Sequence, residues 1–234
     1  IYKRRRVSEI LEEVSNFKGK FWLRLLYTHP KFIDERLIKV IAENEKICKY
    51  IDLPIQHIND RLLNLMKRGI SKCKIYELLE NIRKNIPDVA IRSSVIVGFP
   101  TETDKDFKEL LNFMKFARFE RLGAFIYSLE ENTAASKIKA QIPEKIKNER
   151  FNAVMEFQQA ISKENNKRFL NKTIEVLIDE IDNDGAGYIG RTYADAPEVD
   201  GEVHVSSEKK LKKGEFAKVM ITGSMEYDLK GEAL

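Results

Sequence analysis

Cysteine and histidine are scarce in this chain, and their scarcity excludes several kinds of protein. The 234 residues include two cysteines and three histidines. Cys48 and Cys73 are too few and too far apart to form a disulfide scaffold or a metal site. The GxSxG, P-loop and HExxH patterns of common enzyme families are absent as well. Any chemistry must therefore rest on residues that these simple motifs do not reveal.

Long apolar runs are also lacking. No run approaches the roughly 20 residues that a bilayer-spanning helix needs, and the opening IYKRRRVSEI lacks the apolar core of a signal peptide. Hydrophobic residues make up 43% of the chain and charged residues 33%, which is typical of a folded globular protein. With so few cysteines, we expect a reducing, cytoplasmic location.

Charge is distributed unevenly along the chain. Residues 1–170 contain 33 Lys and Arg against 23 Asp and Glu, a net charge of +10. Residues 171–234 contain 8 against 14, a net charge of −6. The pattern of predicted secondary structure changes at the same place, so we predict one domain over residues 1–170 and a second over residues 171–234.

The first of these segments alternates between strand and helix patterns. Each apolar strand pattern is followed by an amphipathic helix pattern, which predicts an α/β fold with a parallel sheet. The four predicted strands are Phe21–Tyr27, Ile47–Leu53, Ile91–Val97 and Leu122–Tyr127. Four parallel strands alone would leave an apolar sheet edge open. We therefore expect part of a (βα) barrel whose other strands lie upstream.

The second segment, residues 171–234, has a different pattern of apolar and polar residues. Short stretches of alternating apolar and polar residues are separated by glycine-containing turns, which predicts a small antiparallel β-barrel. The predicted strands are Thr173–Asp179, Gly187–Thr192, Gly201–Ser206 and Phe216–Thr222.

Ile91–Glu102, with the sequence IRSSVIVGFPTE, is the most informative stretch of the chain. Its β-branched end predicts a strand buried on both faces. Gly98 allows a close backbone approach, Pro100 ends the strand, and Thr103 is suited to cap the following helix. A strand, a glycine turn and a helix start together predict a ligand site at the carboxyl end of the strand. The alternative is that Gly98 only makes a tight turn.

Polar residues follow the other predicted strands too. His29 comes after the first strand, Gln56 and His57 after the second, and Ser128 after the fourth. Because the carboxyl ends of parallel strands lie at one edge of a sheet, these residues favour a ligand site there. A capping or purely structural role is the alternative for each histidine. Metal binding by His29 and His57 is not expected, since no carboxylate or thiol stands at ligand spacing near either.

Taken together, these motifs are similar to a known family. The runs FWLRLLYTHP, YIDLPIQHINDRLLNLMKR, IRSSVIVGFPTET and LGAFIYSLEENTAA resemble the second half of the radical S-adenosylmethionine (SAM) core of methylthiotransferases. The runs GRTYADAPEVDG and EYDLKGE resemble the TRAM barrel of one branch, the RimO type. That branch methylthiolates an aspartate in the twelfth protein of the small ribosomal subunit. The resemblance covers nearly the whole chain.

Two alternatives to this branch remain. The tRNA-modifying MiaB type usually has Ser in place of His57, and a Ser-Thr-Asp run in place of Arg92-Ser93-Ser94. With a net charge of −6, residues 171–234 are poorly suited to bind the phosphate backbone of a nucleic acid and well suited to bind a basic protein. The lysines between 209 and 213 are the feature that would favour RNA, but Glu208 and Glu215 flank them. The second alternative is a module without a cluster that only binds a ribosomal protein.

The resemblance implies site residues, cofactors and partners. Its cofactors are SAM and 4Fe–4S clusters, and its partner is a basic small-subunit ribosomal protein. We expect a monomer that does not bind a membrane and that binds the ribosomal protein in preference to RNA. The implied cofactor-binding residues are Arg24, Gln56, Ile96, Gly98 and Glu102, with Gln56 near the ribose and the backbone at 96–98 on the adenine. The implied substrate-binding residues are His29, His57, Arg191, Asp195, Glu198 and Asp200. No catalytic residue and no metal ligand is assigned within this chain.

The chain also departs from the family pattern. The CxxxCxxC motif that holds the SAM-binding cluster does not occur in this sequence. We therefore expect the clusters only in the full-length parent, and no activity from this chain alone. Thr101 stands where the family usually has Gly, and Leu129, Asn132 and Ala134 replace a common Pro, Gly and Pro. These replacements bring the local backbone geometry into question.

Overall fold

The computed structural model describes residues 6–138, 140–181 and 187–234. The chain divides into two compact units, residues 1–158 and 159–234. The division falls within a long helix, and each unit is described by itself below. The domain boundary that the sequence suggests, between residues 170 and 171, stays a prediction.

The first unit is an α/β structure, which confirms the predicted fold class. Four parallel strands pair in the order β1-β2-β3-β4. The strands are β1 (Leu23–Leu25), β2 (Ile47–Asp52), β3 (Ala90–Val97) and β4 (Arg121–Ile126). The helices are α1 (Val7–Ser15), α2 (Glu35–Glu43), α3 (Asp60–Leu65), α4 (Lys72–Asn85), α5 (Asp104–Ala117) and α6 (Glu144–Asn166). No helix in the described part of the chain is both long and apolar enough to cross a bilayer.

The two faces of this sheet have different environments. On β3, Ile91, Val95 and Val97 are fully buried in the main apolar core, with residues of helices α2, α4 and α5. Because side chains alternate along a strand, Arg92 and Ile96 lie on the opposite face, and both are only half-buried. Within the described ranges the sheet is open, with β1 and β4 at its edges. The polar face of an open sheet is thus available to ligands.

Helix α5 shows how the local sequence fixes the elements around β3. The Thr103 side chain accepts a hydrogen bond from the Asp106 amide, and the Asp106 carboxylate accepts one from the Thr103 amide at 2.9 Å. This reciprocal capping box satisfies two amides that a helix start leaves free. The helix ends at Arg118, which is left-handed at φ 44°. The start of the helix agrees with the cap predicted at Thr103.

The second unit contains a closed five-stranded barrel in the order β5-β6-β7-β9-β8, which confirms the predicted small barrel. The strands are β5 (Thr173–Ile181), β6 (Tyr188–Arg191), β7 (Val203–Ser206), β8 (Phe216–Ser224) and β9 (Leu229–Ala233). The sequence predicts only the first four. Strand β9 closes the barrel by pairing parallel to β7 and antiparallel to β8. The barrel is therefore not purely antiparallel.

Gly231 lets β9 pack against β8. A Cβ atom added at Gly231 would lie 2.5 Å from Val219 Cγ1 and 2.6 Å from the Met220 carbonyl oxygen. Both distances are well inside van der Waals contact. The strand that closes the barrel therefore requires glycine at this position.

We expect Gly231→Ala to lower the free energy of unfolding by about 1–3 kcal/mol, because the added methyl group overpacks the barrel. Denaturant unfolding measures the change. Gly223→Ala is the matched control, since its nearest neighbour would be Lys230 Cβ at 3.5 Å. Equal losses from the two substitutions would contradict the packing argument.

Candidate functional site

The carboxyl ends of β1, β2 and β3 share an unusual backbone feature. A left-handed residue follows each strand: Tyr27 at φ 56°, Gln56 at φ 70° and Gly98 at φ 72°. Left-handed non-glycine residues cost energy and cluster at ligand sites. The edge that the sequence predicts as a ligand site is thus also the strained edge of the sheet.

Gln56 extends the pairing of β2 with β3 beyond Pro54. Its amide donates to the Ser94 carbonyl at 2.9 Å, and its carbonyl accepts from the Ile96 amide at 2.8 Å. These bonds fix the backbone of Gln56 beside Ile96, and both side chains are half-buried. Two of the residues that the sequence assigns to the cofactor therefore lie side by side.

Gly98 begins the turn after β3, and its surroundings explain why it is glycine. A Cβ atom there would lie 2.3 Å from Lys147 Cγ. The Lys147 ammonium in turn donates to the Tyr127 carbonyl at 3.1 Å. The close approach that the sequence predicts at Gly98 is thus made by a side chain of helix α6. The turn is also tight, which agrees with the structural interpretation of this glycine, and the ligand-site interpretation stays a prediction.

Glu102 is the centre of a buried polar network. Its carboxylate accepts a hydrogen bond from the Gly98 amide and forms an ion pair with Arg150 at 2.9 Å. The Arg150 guanidinium also donates to the Glu102 carbonyl at 3.2 Å. Neither acidic nor basic side chains are normally buried unless they are paired in this way. Glu102 therefore connects the turn after β3 to helix α6.

His57 completes this network from the end of β2. Its Nδ1 accepts a hydrogen bond from the Asn59 amide at 3.0 Å, and its Nε2 lies 3.3 Å from the Glu102 carboxylate. Because Nδ1 is an acceptor, the proton lies on Nε2 and is donated to Glu102. His57 is 0% exposed, which suits a positioning residue. The substrate-side role predicted for it stays a prediction.

His29 occupies a different position at the end of β1. Its Nδ1 accepts from the Lys31 amide at 3.2 Å and caps a short 3-10 helix, Pro30–Phe32. It lines a cavity of about 630 Å³ together with Leu25, Tyr27 and Phe32. Burial lowers the pKa of His29, and the positive charges of Arg68 and Lys31 lower it further. Neutral imidazole beside an open cavity is compatible with ligand contact.

Arg24 lies on the polar face of the sheet, and the cofactor contact predicted for it stays a prediction. Its guanidinium carbon is 4.3 Å from the centroid of the Tyr50 ring. Nearby in the sheet, the buried Asp52 accepts from Arg92 at 3.0 Å and from the Tyr27 amide at 2.8 Å. The sequence gives no indication of this pair, because the two residues are 40 positions apart. Strand register brings them together.

The barrel residues predicted to face the ribosomal protein differ in their exposure. Arg191 forms an ion pair with Asp179. The Asp195 carboxylate is buried and accepts from the Thr192 hydroxyl at 2.6 Å, and Asp200 accepts from the Ala196 amide at 2.8 Å. Glu198 is exposed. Asp195 and Asp200 thus hold their own loop, and the docking role of all four residues stays a prediction.

Thr101 and Asn132 keep the backbone conformation that glycine usually provides. Thr101 has φ 72° and Asn132 has φ 65°. Arg61 secures the strained threonine, since it donates to the Thr101 hydroxyl at 2.6 Å and to its carbonyl at 3.0 Å. Arg61 also pairs with Asp106. Burial alone would raise the pKa of Asp106, but hydrogen bonds from Thr103 and Arg61 lower it overall.

Comparison with known proteins agrees with this architecture. The radical SAM superfamily matches residues 3–114, and the TRAM domain matches residues 172–234. The first segment is therefore similar to the radical SAM superfamily, and the second is similar to TRAM domains. A solved structure, the radical SAM coproporphyrinogen III oxidase (HemN) from Escherichia coli, has a TM-score of 0.52 at 19% identity. The match covers 67% of this chain and 36% of the oxidase chain, and it supports only the assignment of the fold.

Curated relatives are more specific and confirm the resemblance drawn from the sequence. The chain is 44% identical to the ribosomal protein uS12 methylthiotransferase RimO of Acetivibrio thermocellus over 100% of its length. It is 47% identical, over 96% of this chain, to the protein of the same name from Thermodesulfovibrio yellowstonii. In both cases it covers 52% of the relative. The chain thus spans about half the length of the curated relatives it matches.

The residues described do not provide a ligand set for an iron–sulfur cluster. Cys48 is buried and Cys73 is exposed. No group of three or more His, Cys, Asp or Glu side chains suited to a metal occurs within residues 6–138, 140–181 and 187–234. No step of a reaction is therefore assigned to a cluster held by these residues.

We expect Glu102→Gln to lower the free energy of unfolding by about 2–4 kcal/mol, because the buried Arg150 guanidinium then keeps only the exposed carboxylate of Asp104, at 2.7 Å, as a charge partner. Chemical denaturation of the purified protein gives the value. Glu43→Gln, in the exposed pair with Lys39, should change stability by less than about 1 kcal/mol. A loss no larger than the control's would show that the buried pair is not needed.

The strain at Thr101 can be tested with two substitutions. Thr101→Val keeps the branched side chain in the left-handed region and loses the hydrogen bond to Arg61, whereas Thr101→Gly relieves the strain. We expect the valine variant to be the less stable of the two by about 1–3 kcal/mol. Thermal and denaturant unfolding should agree on this order. The reverse order would mean that the left-handed backbone costs nothing here.

Proposed function

We propose that this chain is part of a radical SAM methylthiotransferase whose full-length form modifies an aspartate of ribosomal protein uS12. The observation that carries the proposal is the buried Gly98–Glu102 turn, which lies beside Gln56 at the carboxyl edge of a radical SAM sheet. Relatives over the same residues are named for uS12 methylthiolation. The site and the relatives thus favour the same class of reaction.

The residues at this edge suit a nucleoside cofactor. Ile96 packs in a small apolar cluster with Leu62, Phe99 and Tyr127. The Tyr127 hydroxyl is buried there with no hydrogen-bond partner among the described residues. An apolar wall with one unsatisfied polar atom is what a purine and its polar edge require. In the proposal, SAM supplies a methyl group and a hydrogen-abstracting radical when bound.

Each predicted cofactor residue has a definite task in this proposal. Gln56 holds the ribose, the backbone of Ile96–Gly98 packs on the adenine, and Arg24 faces the bound molecule from the polar face of the sheet. Glu102 and His57 are buried, and the ligand contacts predicted for them stay predictions. They keep the Gly98 turn in place through the buried network. The iron–sulfur clusters belong to other residues of the full-length protein, so the chain alone would be inactive.

The charge of the barrel segment, residues 171–234, supports a basic protein substrate. Residues 171–234 carry a net charge of −6, and the carboxylate of Glu198 is exposed. Acidic surfaces attract basic partners and repel phosphate backbones. A cytoplasmic, monomeric enzyme that docks on a ribosomal protein fits these properties.

The full-length protein tests the substrate assignment directly. With reduced clusters, SAM and a sulfur source, we expect mass spectrometry to find one methylthio group on an aspartate of uS12. Transfer RNA under identical conditions should stay unmodified. Methylthiolated adenosine in tRNA with unmodified uS12 would contradict the proposal and favour the RNA-modifying branch.

The cofactor residues are tested by binding rather than turnover. We expect Gln56→Asn and Arg24→Gln in the full-length protein to weaken SAM binding by about three- to tenfold each, as for the loss of one hydrogen bond or charge contact. Calorimetric titration measures the dissociation constants. Lys39→Gln, on the exposed face of α2, is the control. Unchanged affinity in both site variants would remove these residues from the site.

A further inference from the structure

The cavity at the end of β1, of about 630 Å³, has an apolar wall that the proposed function does not use. Two exposed aromatic residues lie at this wall: Tyr27 is 84% exposed and Phe32 is 47% exposed. Leu25, Leu26 and Ile33 belong to the same wall. Large apolar side chains exposed together are typical of surfaces that bind another molecule. The cavity is therefore a candidate contact site, at the edge of the sheet where the sequence predicts a ligand.

The fold holds Tyr27 at this position at an energetic cost. Tyr27 is left-handed at φ 56°, and its amide donates to the buried carboxylate of Asp52 at 2.8 Å. The next amide, that of Thr28, donates to the Asp52 carbonyl at 3.1 Å. A non-glycine residue keeps such a conformation only where surrounding contacts determine it. The position of Tyr27 is thus fixed by the buried Asp52, although the Tyr27 ring is exposed.

One carboxylate at this cavity has no basic partner. Asp34 lines the cavity and is exposed. Its Oδ1 accepts from the Leu37 amide at 2.9 Å as the N-cap of α2, and Asp34 forms no ion pair within the described ranges. The other two charged residues that line the cavity are Glu9 and Arg36, which pair with each other at 3.4 Å. The charge of Asp34 is therefore left for a ligand.

The basic residues near His29 do not cancel this charge. Lys31 lines a separate cavity together with Lys74, and the Arg68 guanidinium donates to the Pro54 carbonyl. His29 does line the Tyr27 cavity, but burial lowers its pKa, and the charges of Arg68 and Lys31 lower it further. The imidazole is therefore neutral at neutral pH. The cavity combines exposed aromatic surface with an excess of negative charge.

We propose that this cavity binds a lysine or arginine side chain of the basic substrate protein, with the apolar stem on the cavity wall and the charge met by Tyr27 and Asp34. The inference deepens the proposed function and rests on it for the identity of that protein. Cations are attracted to the face of an aromatic ring. Long basic side chains bury their apolar stem and keep the charged end near water. A phosphate group would instead meet the carboxylate of Asp34, so nucleic acid does not suit this cavity.

Asp34→Asn tests the charge in the full-length protein. Asparagine caps a helix about as well as aspartate, so α2 should be preserved. The probe is a uS12 peptide that contains the target aspartate, and further peptides replace one Lys or Arg at a time by norleucine. We expect Asp34→Asn to weaken the parent peptide by about three- to tenfold in calorimetric titration. For one norleucine peptide this loss should disappear, because the contacting charge is already gone.

Two controls separate this contact from general effects. Glu43→Gln also removes a carboxylate from α2, but from an exposed pair with Lys39, and it should change peptide affinity less than about twofold. SAM affinity should be unchanged in Asp34→Asn. An equal loss for every peptide would overturn the inference, because it would indicate only long-range attraction. An equal loss for SAM would also overturn it.

Tyr27 tests the aromatic part of the contact. Tyr27→Leu keeps an apolar side chain and removes the ring, so it should weaken the parent peptide by about threefold and leave SAM affinity unchanged. Tyr27→Phe keeps the ring and should bind the peptide as the wild-type protein does. Equal peptide affinities of the leucine and phenylalanine variants would contradict a cation on the ring.

Butylammonium provides a test that does not depend on the proposed function. It carries the stem and charge of a lysine side chain, whereas 1-butanol carries the stem alone. We expect butylammonium, and not butanol, to shift the NMR signals of the Tyr27 ring, and the response should vanish in Asp34→Asn. This response without binding of the uS12 peptide would support the cation site and refute the proposed substrate. Modification of uS12 without this response would leave the proposed function intact and overturn the inference.

Discussion

The buried ion pair between Glu102 and Arg150 is the interaction on which the candidate site depends. One carboxylate joins the turn after β3, the end of β2 through His57, and helix α6 through Arg150. Removing Glu102 would leave the buried Arg150 guanidinium with only the exposed Asp104 carboxylate as a partner, and a buried charge that loses its buried partner costs more than the pair itself contributes. The network therefore acts as a unit, and it fixes the backbone at Gly98, at the carboxyl end of β3.

Around this network, the carboxyl edge of the sheet combines strain with polarity. Tyr27 and Gln56 adopt left-handed conformations that glycine would adopt at lower cost. Arg61 holds Thr101 in a similar conformation through two hydrogen bonds. Such positions persist because surrounding contacts determine them, and they are typical of sites that must be preorganised. The core behind the sheet is apolar and continuous, so the structure concentrates its polar and strained groups at one edge.

Much of the fold follows from local patterns, and most of the site does not. The alternation of strand and helix predicts the α/β unit, and the Thr103 cap predicts the start of α5. Strand β9 cannot be predicted from the sequence, because its five residues, LKGEA, include two charged residues and a glycine. Only its pairing with β7 and β8 shows that it is a strand of the barrel. The sequence places His57 and Glu102 near a ligand, but it cannot show that they bond to each other. Arg150 lies 48 positions from Glu102 in a long helix, so no local signal distinguishes it from other helical arginines.

Amide hydrogen exchange at Gly98 tests the central claim most directly, because that amide donates to the buried carboxylate. The comparison is between wild-type protein and Arg150→Met, which removes the charge partner and keeps much of the side-chain volume. The account predicts that protection of the Gly98 amide falls at least about tenfold, while amides in the middle of the barrel strand β8 keep theirs. Unchanged protection at Gly98 in a folded Arg150→Met protein would contradict it.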